Sequence, residues 1–274
     1  MLDWTKPYEC QWRFTTVDEN TWASKDVVTP VISASYSADS TTDGLETGTV
    51  SRRVDATAEA VAGWMRMEAM CFQGTSSELV ELATLRFDPE TSSWAGGMRL
   101  DNLRGVSTIF PASEADPLPD GAWAAKGSDG AARAAALIGE YTPAPIVMHG
   151  TLQLQDTVVF DLDSKPLDAA LSILRAEDWV ARQDGLGQIH IMEQPTEPSA
   201  YFATRERGMF LSGASSDANG NITYRRHWGP GIRVWDIFQA NLPEIGLSGT
   251  YRVVSQRVTC GMGIIVEETV EEVQ

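Results

Sequence analysis

Histidine and cysteine, the side chains on which so much catalysis and metal binding rests, are scarce here, with 3 of each. His149, His190 and His227 include no pair at a spacing such as HxxxH, which would place two rings on one metal ion. Each is expected to be a strand residue with a satisfied hydrogen bond. Cys10, Cys71 and Cys260 are odd in number and lack CxxC spacing, so neither a disulfide framework nor a zinc site is indicated, and a reducing compartment fits best. There is no GxSxG and no GxxxxGK[ST]. Gly185-Leu186-Gly187-Gln188 is not a phosphate loop, because a strand and not a helix N-terminus follows it. Positive charge is also short: 21 basic against 38 acidic side chains leave a net charge of -17. That balance argues against stable binding to nucleic-acid phosphates or an anionic membrane. No run reaches the roughly 18 apolar residues of a membrane helix, and MLDWTKPYEC has no basic region followed by an apolar stretch, so a cytoplasmic chain with no membrane span is expected.

What the chain does have is enough apolar residue, 43%, to bury a core, and 9 tryptophans, a density that suits β-rich packing or large subunit interfaces. Short β-branched and aromatic runs at residues 8–14 and 31–36 read as strands, with Asp18, Glu19 and Asn20 in a loop between them. Asp43-Gly44 is a turn signal leading into a further extended segment. Residues 64–70, 81–87 and 105–110 continue the strand pattern. After Pro111 the character changes. AARAAALIGEY is a helix with Ser128 or Asp129 as N-cap, closed by Pro143 and Pro145. A β segment covers 146–162. A second helix opens at Ser164, Lys165 and Pro166 and carries Leu167, Ala170, Leu171 and Leu174 on one face. A hairpin turning at Asp184-Gly185-Leu186-Gly187 follows. Residues 207–273 return to β as MFLSG, NITYRRHW, IRVWDIF and a closing hairpin. The expected fold class is therefore mainly β (α+β): two all-β parts, residues 1–111 and 200–274, flanking a small α+β insertion at 112–199.

Candidate sites are few. Asp161 and Asp163 are read as helix caps and Asp217 to Asn221 as a plain turn, since both lack the register of a calcium loop. No catalytic, cofactor or metal residue is assigned. Arg225, Arg226 and Trp228, together with Trp235, are candidate subunit contacts, with Arg225 and His227 on one strand face and Arg226 and Trp228 on the other. Glu267, Glu268, Glu271 and Glu272 sit on the last strand, where a solvated or lumen-facing acidic rim is expected in preference to a glycosidase-type carboxylate pair.

Four stretches resemble the tail hub proteins of bacteriophages and contractile injection machines, the late-control gene D family. They are ISASYSADSTTDGLETGTV, GSDGAARAAALIGE, VVFDLDSKPLDAALSILRAEDWVARQDGLGQIHIMEQP and WGPGIRVWDIFQANLPEIGLSGTYRVVSQRVTCGMGIIVEETVEEV. The LxxALxxLL-like helix at 167–174, the D-G-x-G turn at 184–187 and the G-x-y-R-V-x-S segment at 249–255 carry the match. The resemblance implies a non-enzymatic homotrimer in which two tube-like barrels per subunit form a pseudo-six-fold ring around the DNA ejection channel. The implied partners are a distal tail or tail tube protein and tip, tape-measure or receptor-binding proteins, in a virion tail assembled in the host cytoplasm. Only 196–221 separates the insertion from the last barrel, and no lysozyme or peptidase domain follows, so cell-wall cleavage would fall to another subunit. The alternatives are a distal tail protein forming a hexameric ring, or a carbohydrate-binding or carbohydrate-cleaving module.

Overall fold

The computed structural model describes residues 2–4, 6–40, 46–55, 57–58, 60–198, 202–204, 210–228, 232–261 and 263–273. Antiparallel strands dominate them. The N-terminal part contributes β1 (Glu9–Val17), β2 (Ser24–Val28), β3 (Val31–Asp39), β4 (Glu46–Asp55), β5 (Gly63–Gln73), β6 (Ser76–Ala95) and β7 (Met98–Val106). The middle contributes α1 (Pro111–Glu114), β8 (Trp123–Ala124), α2 (Gly130–Gly139), β9 (Ile146–Met148), β10 (Val158–Val159), α3 (Pro166–Arg175), β11 (Trp179–Gln183) and β12 (Ile189–Glu193). The C-terminal part contributes β13 (Phe202–Thr204), β14 (Phe210–Ser216), β15 (Ile222–His227), β16 (Ile237–Leu242), β17 (Leu247–Gly261) and β18 (Gly263–Glu272).

The first and last groups are not separate sheets. They form one 13-stranded sheet in the order β14-β15-β18-β17-β3-β4-β7-β6-β5-β1-β2, with β16 paired to β17 and β13 to β16. The join is β17 against β3, where Ser255, Gln256, Arg257 and Val258 face Asp39, Ala38, Ser37 and Tyr36. Alternation sets the two faces: in β4 the residues Glu46, Gly48, Val50, Arg52 and Val54 point inward, and their neighbours outward. The sheet curls around one hydrophobic cluster that takes Phe14, Met67 and Leu85 from the first group and Phe238, Val258 and Val266 from the last.

The middle segment has its own core, built from both longer helices and β11 and β12, into which Trp22 and Trp64 also reach. Asp129 caps α2 by accepting from the Ala132 amide at 3.2 Å. Pro166 opens α3, where its missing N–H costs nothing. The four apolar positions Leu167, Ala170, Leu171 and Leu174 all turn inward.

Several sequence expectations need correction. Capping of α3 falls to Asp168, which accepts from the Lys165 amide at 3.4 Å, and not to Asp161 or Asp163. β2 was hidden in the stretch after Asn20, since its charged residues Lys25 and Asp26 lie on an exposed edge. β7 stops at Val106, and residues 107–110 turn into α1. Ile232 to Asp236 is no strand either, because the Asp236 carboxylate takes the Arg233 amide at 2.9 Å and closes a turn ahead of β16. The Asp43-Gly44 turn signal lies outside the described residues.

Candidate functional site

Arg226 and Glu268 are the largest departure from what the sequence led one to expect. They pair across β15 and β18 and turn inward, with side chains 1% and 0% exposed. Arg226 Nε donates to Glu268 Oε2 at 2.8 Å and Nη2 to Oε1 at 2.8 Å. Tyr224 Oη donates to Oε2 at 2.6 Å and Gln256 Nε2 to Oε1 at 2.6 Å, so every lone-pair direction of the carboxylate is used. Burial pushes the Glu268 carboxyl up, but the Arg226 charge and these hydrogen bonds outweigh it and hold the group below its ordinary value. Glu268 is therefore no part of an acidic rim, and Arg226 presents no side chain to a neighbouring subunit. Trp228 is also buried, as its face of the strand required.

The remaining candidates lie nearer the surface. Arg225 pairs with Glu267 at 2.8 Å and Arg252 with Glu271 at 3.1 Å, both partly solvated, while Glu272 is exposed and Trp235 half-buried against the core. Trp235 holds a φ of 77°, a backbone region that bulky side chains rarely adopt. Around Arg225 and Glu267 runs a face of hydroxyls that bond one another: Ser35 with Thr49 at 2.9 Å, Ser37 with Thr47 at 2.8 Å, and Thr223 with Thr269 at 2.9 Å. A groove of about 440 Å³ opens on it, lined among others by Thr47, Arg104, Ser255 and Arg257, with Glu46 at its buried side. The face carries both charge signs and is not simply acidic.

A second constellation locks the middle segment to the sheet. The turn at 184–187 lies flat on β6, and no side chain would fit under it. A Cβ on Gly185 would stand 2.5 Å from the Glu81 carbonyl oxygen, and one on Gly187 2.5 Å from Thr84 Cβ, with φ +77° at Gly187 besides. Trp22 Nε1 donates to the Leu186 carbonyl at 2.8 Å and Thr84 Oγ1 to that of Gly185 at 3.2 Å. Next to the turn, buried Gln183 accepts from both the amide and the hydroxyl of Thr108 at 2.8 Å and donates to Glu46. Burial raises the Glu46 carboxyl to about 8, with Arg233, Tyr36 and Gln183 only partly offsetting it. Arg182 Nη1 reaches Asp236 at 2.5 Å, tying β11 to the turn before β16.

The histidines divide. Parallel pairing of β9 with β12 brings His149 Nε2 to 2.8 Å from His190 Nδ1, and His190 Nε2 lies 3.3 Å from Asp184 Oδ2. Sequence spacing hid this pair because 41 residues separate its members. His227 differs from expectation: its buried Nδ1 finds no hydrogen-bond partner among the described residues, and burial lowers its pKa. Among the described residues no group of three or more His, Cys, Asp or Glu is placed to hold a metal ion. None of their helices is long and apolar enough to cross a membrane. Asp217 closes a plain turn, accepting from the amides of Asn219 and Asn221 at 2.8 and 3.0 Å.

The large apolar side chains left exposed are elsewhere. The second half of β6, paired there with β7 and lying beyond the stretch that pairs with β5, leaves Trp94 65% exposed, and β8 pairs Trp123 (56%) with Val159 (71%) of β10. A docked middle segment and a sheet that uses its charges for internal pairing define a mainly β scaffold with an inserted α+β unit. The same fold occurs in the 43 kDa tail protein of prophage MuSo2 from Shewanella oneidensis, at TM-score 0.67 and 8% identity over 97% of this chain and 98% of that one. It occurs in the tail protein of Neisseria meningitidis MC58, at TM-score 0.67 and 9% identity over 96% of both chains. The E. coli c3393 protein, a component of the type VI secretion system with structural similarity to T4 bacteriophage tail proteins gp27 and gp5, aligns at TM-score 0.56 and 7% identity, over 89% of this chain and 74% of that one. No protein-family description and no curated relative matches the sequence.

Proposed function

We propose that this chain is a structural, non-enzymatic component of a phage tail tip: a homotrimeric hub ring that joins the tail tube to the tip and surrounds the DNA ejection channel. The observation that carries the reading is the end-to-end agreement of fold with two tail proteins, over 96% or more of each chain. The ion-paired state of Glu267, Glu268 and Glu271 supports the non-enzymatic part, since carboxylates neutralised by arginine are poor acid/base pairs. The net charge of -17 and the self-satisfied hydroxyls suit a wall along which DNA moves without adhering. Its partners on this reading are two further copies of the chain, a distal tail or tail tube protein, and tip, tape-measure or receptor-binding proteins.

Native mass spectrometry tests the reading. A trimer supports the hub. A hexamer replaces it with a distal tail ring, and a monomer that turns over cell-wall polysaccharide replaces it with an enzyme.

A further inference from the structure

The two histidines of the middle segment are brought together by strand register. His190 pairs with Val147 in the parallel ladder of β12 with β9, and His149 lies two positions beyond Val147, so both rings leave the same face of that sheet. The His149 amide donates to the Ile191 carbonyl at 2.9 Å and fixes the chain just past the end of β9. His149 Nε2 then stands 2.8 Å from His190 Nδ1, with the ring centroids 5.1 Å apart. A third group orients the pair. Asp184 opens the docked turn and holds it by accepting from the Gln188 amide at 2.9 Å through Oδ1, while its Oδ2 lies 3.3 Å from His190 Nε2. A carboxylate can only accept, so the proton of the His190 ring sits on Nε2, and Nδ1 presents a lone pair to His149.

We propose that His149 Nε2 and His190 Nδ1 form a binding site for one divalent transition-metal ion of the zinc type, with Asp184 as its positioning residue. Imidazole nitrogens suit zinc, copper and nickel, and a histidine ligand regularly donates its other ring N–H to a carboxylate. The distances agree. Two zinc–nitrogen bonds of about 2.0–2.1 Å at a tetrahedral angle set their nitrogens roughly 3.3 Å apart. The hydrogen-bonded nitrogens are 2.8 Å apart, and His149, exposed past the end of its strand, supplies the difference by turning its ring. The ion takes the place of the proton between the rings, which moves to His149 Nδ1, so neither ring changes its charge.

Two protein ligands converge, and no larger group of ligand side chains gathers among the described residues, so water fills the remaining positions and the site is an exchangeable one. Magnesium and calcium take oxygen ligands and do not suit it. Bound there, the ion clips β9 to β12 beside the turn that docks on β6. The site lies within one chain and does not depend on the tail reading.

Calorimetric titration of the full chain with zinc chloride tests it, in a buffer with excess magnesium chloride to occupy the carboxylates of so acidic a surface. One zinc ion per chain is expected in the wild type, with that binding lost in both His149→Gln and His190→Gln while the chains remain folded by circular dichroism. Asp184→Asn keeps an acceptor for the Gln188 amide and should bind roughly 10–100-fold more weakly. In nitrogen NMR spectra of the histidine rings, zinc should move His149 Nε2 and His190 Nδ1 and leave His227 in place, a signature that a merely structural change in the turn would not produce. No zinc bound at millimolar concentration, equal binding in the wild type and both histidine variants, an unchanged affinity in Asp184→Asn, or an ion shared between two chains at native mass overturns the proposal.

Discussion

Arg226 and Glu268 face each other inside the sheet as a two-pronged pair, Nε to Oε2 and Nη2 to Oε1, both at 2.8 Å. Removing one partner strands the other charge in an interior from which water is excluded. Glu268→Ala is expected to cost about 3–5 kcal/mol, measured by urea unfolding. The double substitution Arg226→Met with Glu268→Leu removes both charges at similar volume and should recover most of that loss. Equal losses in the single and double variants would show that packing, not charge, dominates the site.

Gly185 is required by approach, not by conformation. Its Cβ would meet the Glu81 carbonyl, a backbone atom that cannot swing away. Gly185→Ala should lift the turn off β6, destabilise by about 2 kcal/mol or more, and increase hydrogen exchange at residues 183–189. Gly261→Ala is the control: nothing lies within 4 Å of the added carbon, so the change should stay within about 0.5 kcal/mol.

Glu46 makes stability depend on pH in the alkaline direction. Its carboxyl is raised from 4.5 to about 8 in the folded chain, so the folded state holds a proton that the unfolded state releases. Its contribution is complete below pH 4.5 and declines as pH rises through about 8. Between pH 5 and 9 the loss should be on the order of 4 kcal/mol. Glu46→Gln should flatten that slope in urea midpoints recorded across the range.

Trp94 and Trp123 are 65% and 56% exposed, so replacing either with Ser should change the unfolding free energy of the isolated chain by less than about 0.5 kcal/mol. On the ring reading the same substitutions weaken assembly, visible as a larger monomer fraction at native mass. Unchanged assembly in both variants would place the subunit contacts elsewhere.

The local elements were legible because their signals are local. Asp129 capping α2, Pro166 opening α3 and the inward stripe of Leu167, Ala170, Leu171 and Leu174 all follow from residues within a few positions of one another. The D-G-x-G turn was legible as a turn, but its docking was not, since nothing near Gly185 announces Glu81 as its neighbour. The same blindness explains the carboxylates on β18. Glu267 and Glu268 are chemically identical, and only the pairing of β15 with β18 puts one beside solvent and the other against Arg226. Alternation did tell which of Arg225 and Arg226 would share a face with Trp228. It could not tell which face was inside.

The junction of β3 with β17 also governs the order of events on the ribosome. The middle core draws almost all its residues from one contiguous stretch and can close as soon as that stretch emerges. β3 must wait for β17 before its second edge is covered. At ordinary synthesis rates of about 5–20 residues per second, that edge stays open for roughly ten to forty seconds. Throughout that interval a nascent chain offers a half-finished sheet to its neighbours, and the register shift between Val31 and Ser33 is the kind of irregularity that makes a waiting edge a poorer template for aggregation.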